Sequence, residues 1–172
     1  GTIKNGDGAS ANLTLPATGG AGSLAGNTTI AIDTGAPEVS SIAPATSSPT
    51  NASSANHKGA VSESVVGVGG SDIILTTTGS VSGASVTGVS GSGDTYTVTV
   101  DTGSGDGTLR LDLVDDDSVK DDVEIALGGS GTGNGDYSSG TALTIDKTPP
   151  AVSSIAPATS SPTNASSANH KG

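Results

Sequence analysis

Residues 94–113 read DTYTVTVDTGSGDGTLRLDL, and the alternation in this stretch decides the fold. Tyr96, Val98 and Val100 fall on one face of an extended chain, with Thr95, Thr97 and Thr99 on the other. After Gly103-Ser104-Gly105-Asp106-Gly107 the pattern resumes, with Leu109, Leu111 and Leu113 against Thr108, Arg110 and Asp112. Two period-two runs separated by a glycine-rich break are two half-buried strands joined by a turn. β-Branched Thr and Val suit such pleated surfaces because their stiff side chains pack well on them.

Working outward, Leu143 and Ile145 alternate in TALTID (141–146), and Ile30 and Ile32 in TTIAID (28–33). Ile73–Thr78 and Ala84–Val89 read as further strands. Gly-Ser-Gly-Asp (91–94) and Gly-Gly-Ser-Gly-Thr-Gly (128–133) are turn and loop signals. No stretch combines helical periodicity with a cap. Several short antiparallel-compatible strands of this kind predict an all-β sandwich.

The second decisive feature is a repeat. Residues 39–59, VSSIAPATSSPTNASSANHKG, recur letter for letter at 152–172, an offset of 113 residues. Ile32-Asp33-Thr34 before the first copy matches Ile145-Asp146-Lys147 before the second more loosely. Solenoid repeats run about 20–50 residues, so a period above a hundred means whole domains in series. The expected division is residues 1–33 as the C-terminal part of one domain, 34–146 as a complete repeat, and 147–172 as the opening strand region of the next. Ile-Asp-Lys-Thr-Pro-Pro-Ala-Val (145–152) joins two units through prolines that hold the backbone extended. Neighbouring units are therefore expected to stack end to end.

Composition excludes several functions. Phe, Trp, Met and Cys are absent, and Tyr96 and Tyr137 are the only aromatics, so the core is built from Val, Ile, Leu and Ala. The net charge of −11, from 17 acids and 6 bases, argues against nucleic acid and against an anionic membrane as partners. Without cysteine there is no disulfide, thiolate metal site or thiol nucleophile. No apolar run approaches the length of a membrane span. Two tyrosines cannot line a sugar-cleaving cleft. No Gly-x-Ser-x-Gly elbow with a usable histidine appears, and the glycine-rich segments lack the Lys-Ser/Thr ending of a phosphate loop. Catalysis is not expected.

Eleven of the 17 acids lie between Asp94 and Asp136. Asp115, Asp117, Asp121, Asp122 and Glu124 offer the oxygen ligands calcium takes, although their spacing is not that of an EF-hand loop. A calcium site and a solvated acidic loop are the two readings of this run. Asp146 with Asp33 as its counterpart is a further, linker-borne candidate. His57 and His170, equivalent in the repeat, have no second His or Cys near them in sequence and are expected to be exposed strand residues. Asn12, Asn27, Asn51 and Asn164 open glycosylation sequons, a triplet that chance supplies in a Ser/Thr-rich chain.

The strings SDIILTTTGSVSGASVTGVSGSGDTYTVTVDTGSGDGTLRLDLVDDDSV (71–119) and LGGSGTGNGDYSSGTALTIDKTPPAV (127–152) resemble the bacterial Ig-like repeats of large repetitive cell-surface proteins and adhesins. Residues 11–39 resemble the closing half of a sister repeat. The resemblance implies tandem immunoglobulin-like antiparallel β-sandwich domains arranged end to end, at the extracellular surface of a bacterial cell. The function it implies is a structural spacer or extender, with neighbouring repeats or subunits of the same protein as partners. Two other readings stand beside it: a subunit of a self-assembling extracellular filament joined by strand addition, and an adhesive domain binding host or surface glycans or a receptor. Two segments depart from the family pattern. Ala55–Val61 replaces a strand of alternating Phe and Val, and Lys120–Glu124 replaces an Asp-x-x-Gly-Asn loop.

Overall fold

The computed structural model describes residues 3–4, 6–10, 20, 32–158, 161–162, 164–167 and 169–171. The chain forms two compact units, Gly1–Thr34 and Gly35–Gly172. In the first, an antiparallel bridge joins Lys4 and Ser10. The strand expected at 28–33 lies for the most part outside the described residues.

The second unit is all-β and its sheets are antiparallel. Its strands are β1 (Val39–Pro44), β2 (Ser54–Val66), β3 (Ile73–Thr77), β4 (Ser85–Asp101), β5 (Gly107–Leu113), β6 (Lys120–Asp121), β7 (Leu143–Ile145), β8 (Ala156–Pro157) and β9 (His170–Lys171). Among the described residues the helical content is one 3-10 turn, Gly70–Asp72.

β4 doubles back on itself. Residues 87 and 99 of a straight strand would stand about 40 Å apart, yet Thr87 Oγ1 donates to the Thr99 carbonyl at 3.1 Å. The reversal sits at Gly91 (φ 131°) and Gly93 (φ 73°), inside the Gly-Ser-Gly-Asp read as a turn. A Cβ on Gly91 would collide with the backbone of Thr95 and Tyr96, so this position requires glycine. The first sheet therefore runs β1, β2, the 95–101 arm of β4, then its 85–90 arm, with β6 pairing the far end of β2. The second sheet has the order β3-β5-β7. Its β3–β5 ladder continues past the named strands through Thr78–Thr108, Ser80–Asp106 and Ser82–Ser104.

Both sheets feed one core. Ile42, Ala55, Val65, Tyr96, Val98 and Val100 come from the first sheet, and Ile73, Leu109, Leu111, Leu113, Leu143 and Ile145 from the second. Every residue that the alternation of 94–113 placed on the apolar face is buried. Tyr96 keeps its hydroxyl satisfied by donating to the Val65 carbonyl at 2.6 Å. With no large aromatic to fill the space beside Gly59, Ala60 and Val61, an apolar cavity of about 30 Å³ remains there.

His57 overturns the expectation of an exposed strand residue: it is 0% exposed. The reason is register. Ala55 pairs with Val100 and His57 with Val98, so once Val98 and Val100 face inward, every odd-numbered residue of this part of β2 does too. A slip of one residue would bury Asn56 and Lys58 instead. The segment that looked poor in core residues thus contributes a small alanine and a histidine whose two ring nitrogens have no hydrogen-bond partner. Burial without a partner pushes the imidazole below its usual range.

Candidate functional site

The five acids read as calcium ligands are distributed over two substructures. Asp115 is 3% exposed, and its carboxylate accepts the Asp117 N–H (3.0 Å) through Oδ1 and the Gly135 N–H (3.2 Å) through Oδ2. Asp117, at φ 66°, accepts the Gly131 N–H with both of its oxygens. Asp136 returns the tie by accepting the Asp115 N–H at 2.8 Å. These carboxylates hold the 128–136 glycine loop by its backbone, which has no strand ladder of its own to satisfy it. Asp116 accepts from Ser118, and those bonds hold its carboxyl below the ordinary carboxylate range.

Asp121 ends β6 and opens a separate tight turn. Its Oδ1 accepts the Val123 and Ile125 N–H groups, both at 2.8 Å. Glu124, at φ 69°, pairs with Lys120 at 3.3 Å on the exposed side, and Asp122 is exposed. Among the described residues, no three of the five acids bring their carboxylates within 4.8 Å of one another.

What the turn does bring together is Asp121 and Glu63, a residue the sequence reading did not select. Val65 of β2 pairs with Asp121 of β6, and a carboxylate oxygen of Glu63 lies within 4.8 Å of one from Asp121. Asp121 is 3% exposed, and its Oδ2 is buried without a hydrogen-bond partner. An unpartnered buried carboxylate oxygen beside a second carboxylate is a costly arrangement that a hard cation would relieve. Glu63 stands 58 residues before Asp121 in sequence. Only the β2–β6 pairing reveals their proximity.

The other cluster of polar side chains lies just after β7. Asp146 N–H donates to the Thr50 carbonyl at 2.9 Å, and the Lys147 and Thr148 donors both reach the Asp106 carboxylate. The Thr148 and Lys147 bonds hold Asp106 below the ordinary carboxylate range. Lys147 Nζ donates to the carbonyls of Asn51 (2.8 Å) and Ala52 (2.6 Å) and to Thr102 Oγ1 (3.0 Å). Where the chain comes in, Pro37 is fully buried and its carbonyl accepts Gly128 N–H, while Glu38 and Ser62 exchange two bonds. The segments just before β1 and just after β7 are both hydrogen-bonded to the rest of the second unit.

Of the sequons, Asn51 and Asn164 are exposed, and Asn12 and Asn27 lie outside the described residues. No helix of the described residues is long and apolar enough to cross a membrane. Comparison with protein-family models, with curated proteins and with solved structures finds no match to this chain.

Proposed function

We propose that the chain is a structural spacer: a length of tandem immunoglobulin-like repeats that extends a secreted bacterial surface protein or adhesin from the cell, without catalytic activity. Strand order supports the fold. Reading β1, β2, β3, the two arms of β4, β5 and β7 as A to G gives A-B-E-D over C-F-G, the order of a constant-type immunoglobulin sandwich.

The observation that carries the function is the joint. The chain is pinned to the unit it leaves as far as Thr148, through Asp106. At the 113-residue offset, Pro150 is the counterpart of Pro37, which is buried in the unit it enters. With Pro150 seated in a following unit as Pro37 is in this one, a single residue, Pro149, would separate the two fixed segments, and proline has little freedom to bend. A joint that short transmits orientation between successive units instead of acting as a swivel. Small-angle scattering from a chain of four linked units should give a maximum dimension that rises linearly with unit number. Lys147→Ala at every joint removes three bonds from the staple and should shorten that dimension while each unit stays folded. A compact particle from the unsubstituted chain would overturn the spacer reading.

The same reading includes calcium. Glu63 and Asp121 are the residues that would hold it, and a divalent ion there would neutralise the buried Asp121 oxygen. Asp115 and Asp117 spend their oxygens on backbone N–H groups, and Glu124 faces Lys120. Calcium at a hundred times its dissociation constant should stabilise the unit by about 2.7 kcal/mol, read as a higher melting temperature than in chelator. Glu63→Gln should abolish that shift. An unchanged melting temperature, or a shift that survives in Glu63→Gln, would remove calcium from this place.

A further inference from the structure

The two edges of the second sheet are finished differently. At β7 the edge is covered: Thr50 forms a parallel bridge with Ile145, its N–H donating to the Thr144 carbonyl and its own carbonyl accepting the Asp146 N–H. At the other edge, β3 has β5 as its one neighbour among the described residues. Register decides which backbone groups of β3 are spent. Val114 N–H donates to the Asp72 carbonyl and Thr78 N–H to the Thr108 carbonyl, so the even-numbered residues turn their groups towards β5. The odd-numbered ones turn theirs outward. Ile73 N–H is taken up by the Gly70 carbonyl. The N–H and C=O groups of Leu75 and Thr77 face away from the sheet, and no backbone bond among the described residues reaches them. Sheet edges are ordinarily blunted by lysine, proline or an inward-pointing charge. Ile73–Thr77, IILTT, has none of these, and Ile74 is 50% exposed on its outer face.

We propose that β3 is the edge through which this unit pairs side by side with a second copy of this chain. The open groups are self-complementary. An antiparallel two-fold centred on Thr76 sets Leu75 against Thr77 of the second copy, and Thr77 against its Leu75. Both are hydrogen-bonded pairs, so four N–H···O=C bonds form and no group of Leu75 or Thr77 is left unmet. On the outer face Thr76 then meets its own counterpart, and the exposed Ile74 is covered opposite Thr78. Charge favours a second copy over a charged partner. The strand carries no charged side chain, and the two charged residues paired with it on β5, Asp112 and Arg110, bind each other at 2.8 Å. The net charge of −11 therefore places little repulsion at the seam itself. Units in series connect through the segments before β1 and after β7, not through β3. Four bonds set against the lost freedom of association make a weak pair for one unit. Units linked in series multiply it, because each later pairing is intramolecular. The pairing does not depend on the spacer reading: one unit pairs once, an array many times.

The test uses the full chain. By sedimentation equilibrium its weight-average mass should climb from monomer towards dimer between about 10 µM and about 1 mM. Thr77→Pro removes an N–H that the unit's own ladder does not use, at the kind of edge position where a sheet accepts proline. It should stay monomeric over the same range, with a urea midpoint at low concentration close to the parent's. A second measurement does not rely on proline. Thr76→Cys places a single thiol in the cysteine-free chain. The two-fold sets it opposite itself in a non-hydrogen-bonded pair, with Cα atoms about 4.5 Å apart, inside the range a disulfide spans. It should oxidise to a linked dimer at least about tenfold faster than Thr95→Cys, an exposed position on the first sheet. Adding Thr77→Pro should erase that advantage. A parent that stays monomeric throughout, association that Thr77→Pro leaves undiminished, or equal oxidation rates for the two thiols would each overturn the proposal.

Discussion

Asp115→Ala is expected to cost the unit about 3 kcal/mol in urea denaturation, through two backbone N–H groups left without an acceptor at about 1–3 kcal/mol each. Asp115 is buried, and its two oxygens serve Asp117 and Gly135 on different segments. The loss is large against the ~5–15 kcal/mol that holds a domain together. Asp115→Asn keeps one acceptor oxygen and should cost less than the alanine. Asp122→Ala, at an exposed position, should change stability by no more than about 0.5 kcal/mol. If alanine at 115 proved as harmless as alanine at 122, the acidic run would be a solvated surface and not the framework of the glycine loop.

His57→Leu is expected to do the reverse, stabilising the unit by about 1–2 kcal/mol, because it removes two buried, unpartnered ring nitrogens at similar volume. It should also remove a pH dependence. The folded-state pKa of His57 lies below the unfolded value of about 6.5. Above that value both states are neutral and stability is full. As pH falls below it the unfolded chain takes up a proton that the folded one does not, and stability drops by up to about 1.4 kcal/mol per pH unit. The loss continues until the folded pKa is reached. Three acids with lowered values titrate in a different window. Asp106, Asp112 and Asp116 all have lowered folded values, so what they contribute is present above the unfolded value of 3.8 and is lost only as pH falls below it. For Asp112 the cause is the Arg110 guanidinium, paired at 2.8 Å, followed by the Thr76 hydroxyl. Urea midpoints between pH 7.5 and 5, compared between the parent and His57→Leu, therefore isolate His57. The parent should lose stability across that range and His57→Leu should not. Equal slopes for the two would show that His57 is protonated or solvated in the folded state.

The cavity and the histidine are consequences of one substitution pattern. In a chain without Phe or Trp, residues 55–61 must supply the inner face of β2 with Ala, His, Gly and Val. Gly59 leaves room that its neighbours do not fill, and His57 fills its place at the cost of two unmet hydrogen bonds. The unit tolerates this because the opposite sheet is well furnished: Leu109, Leu111 and Leu143 are 0% exposed. Each brings the area of a fully buried leucine, about 1.5–3 kcal/mol of hydrophobic stabilisation.

Alternation by itself determined which residues of 94–113 and 141–146 face the core, because a strand has only two faces and one of them was visibly apolar. Glycine chemistry marked the reversal at 91–94, since a backbone at positive φ and in close contact excludes a side chain. The repeat, a property of the sequence alone, revealed the 113-residue period and the equivalence of β1–β2 with β8–β9. Three things were decided only in three dimensions. The parity of 55–61 is set by Val98 and Val100 on the neighbouring strand, because the segment's own residues show no apolar face to read. The grouping of Glu63 with Asp121 arises from pairing between strands far apart in sequence, while the consecutive acids 115–124 divide between two turns. The anchoring of the segment after β7 depends on Lys147 reaching carbonyls at Asn51 and Ala52. Local pattern fixes what a strand can bury; its neighbours fix which charges meet, and those meetings are where function is built.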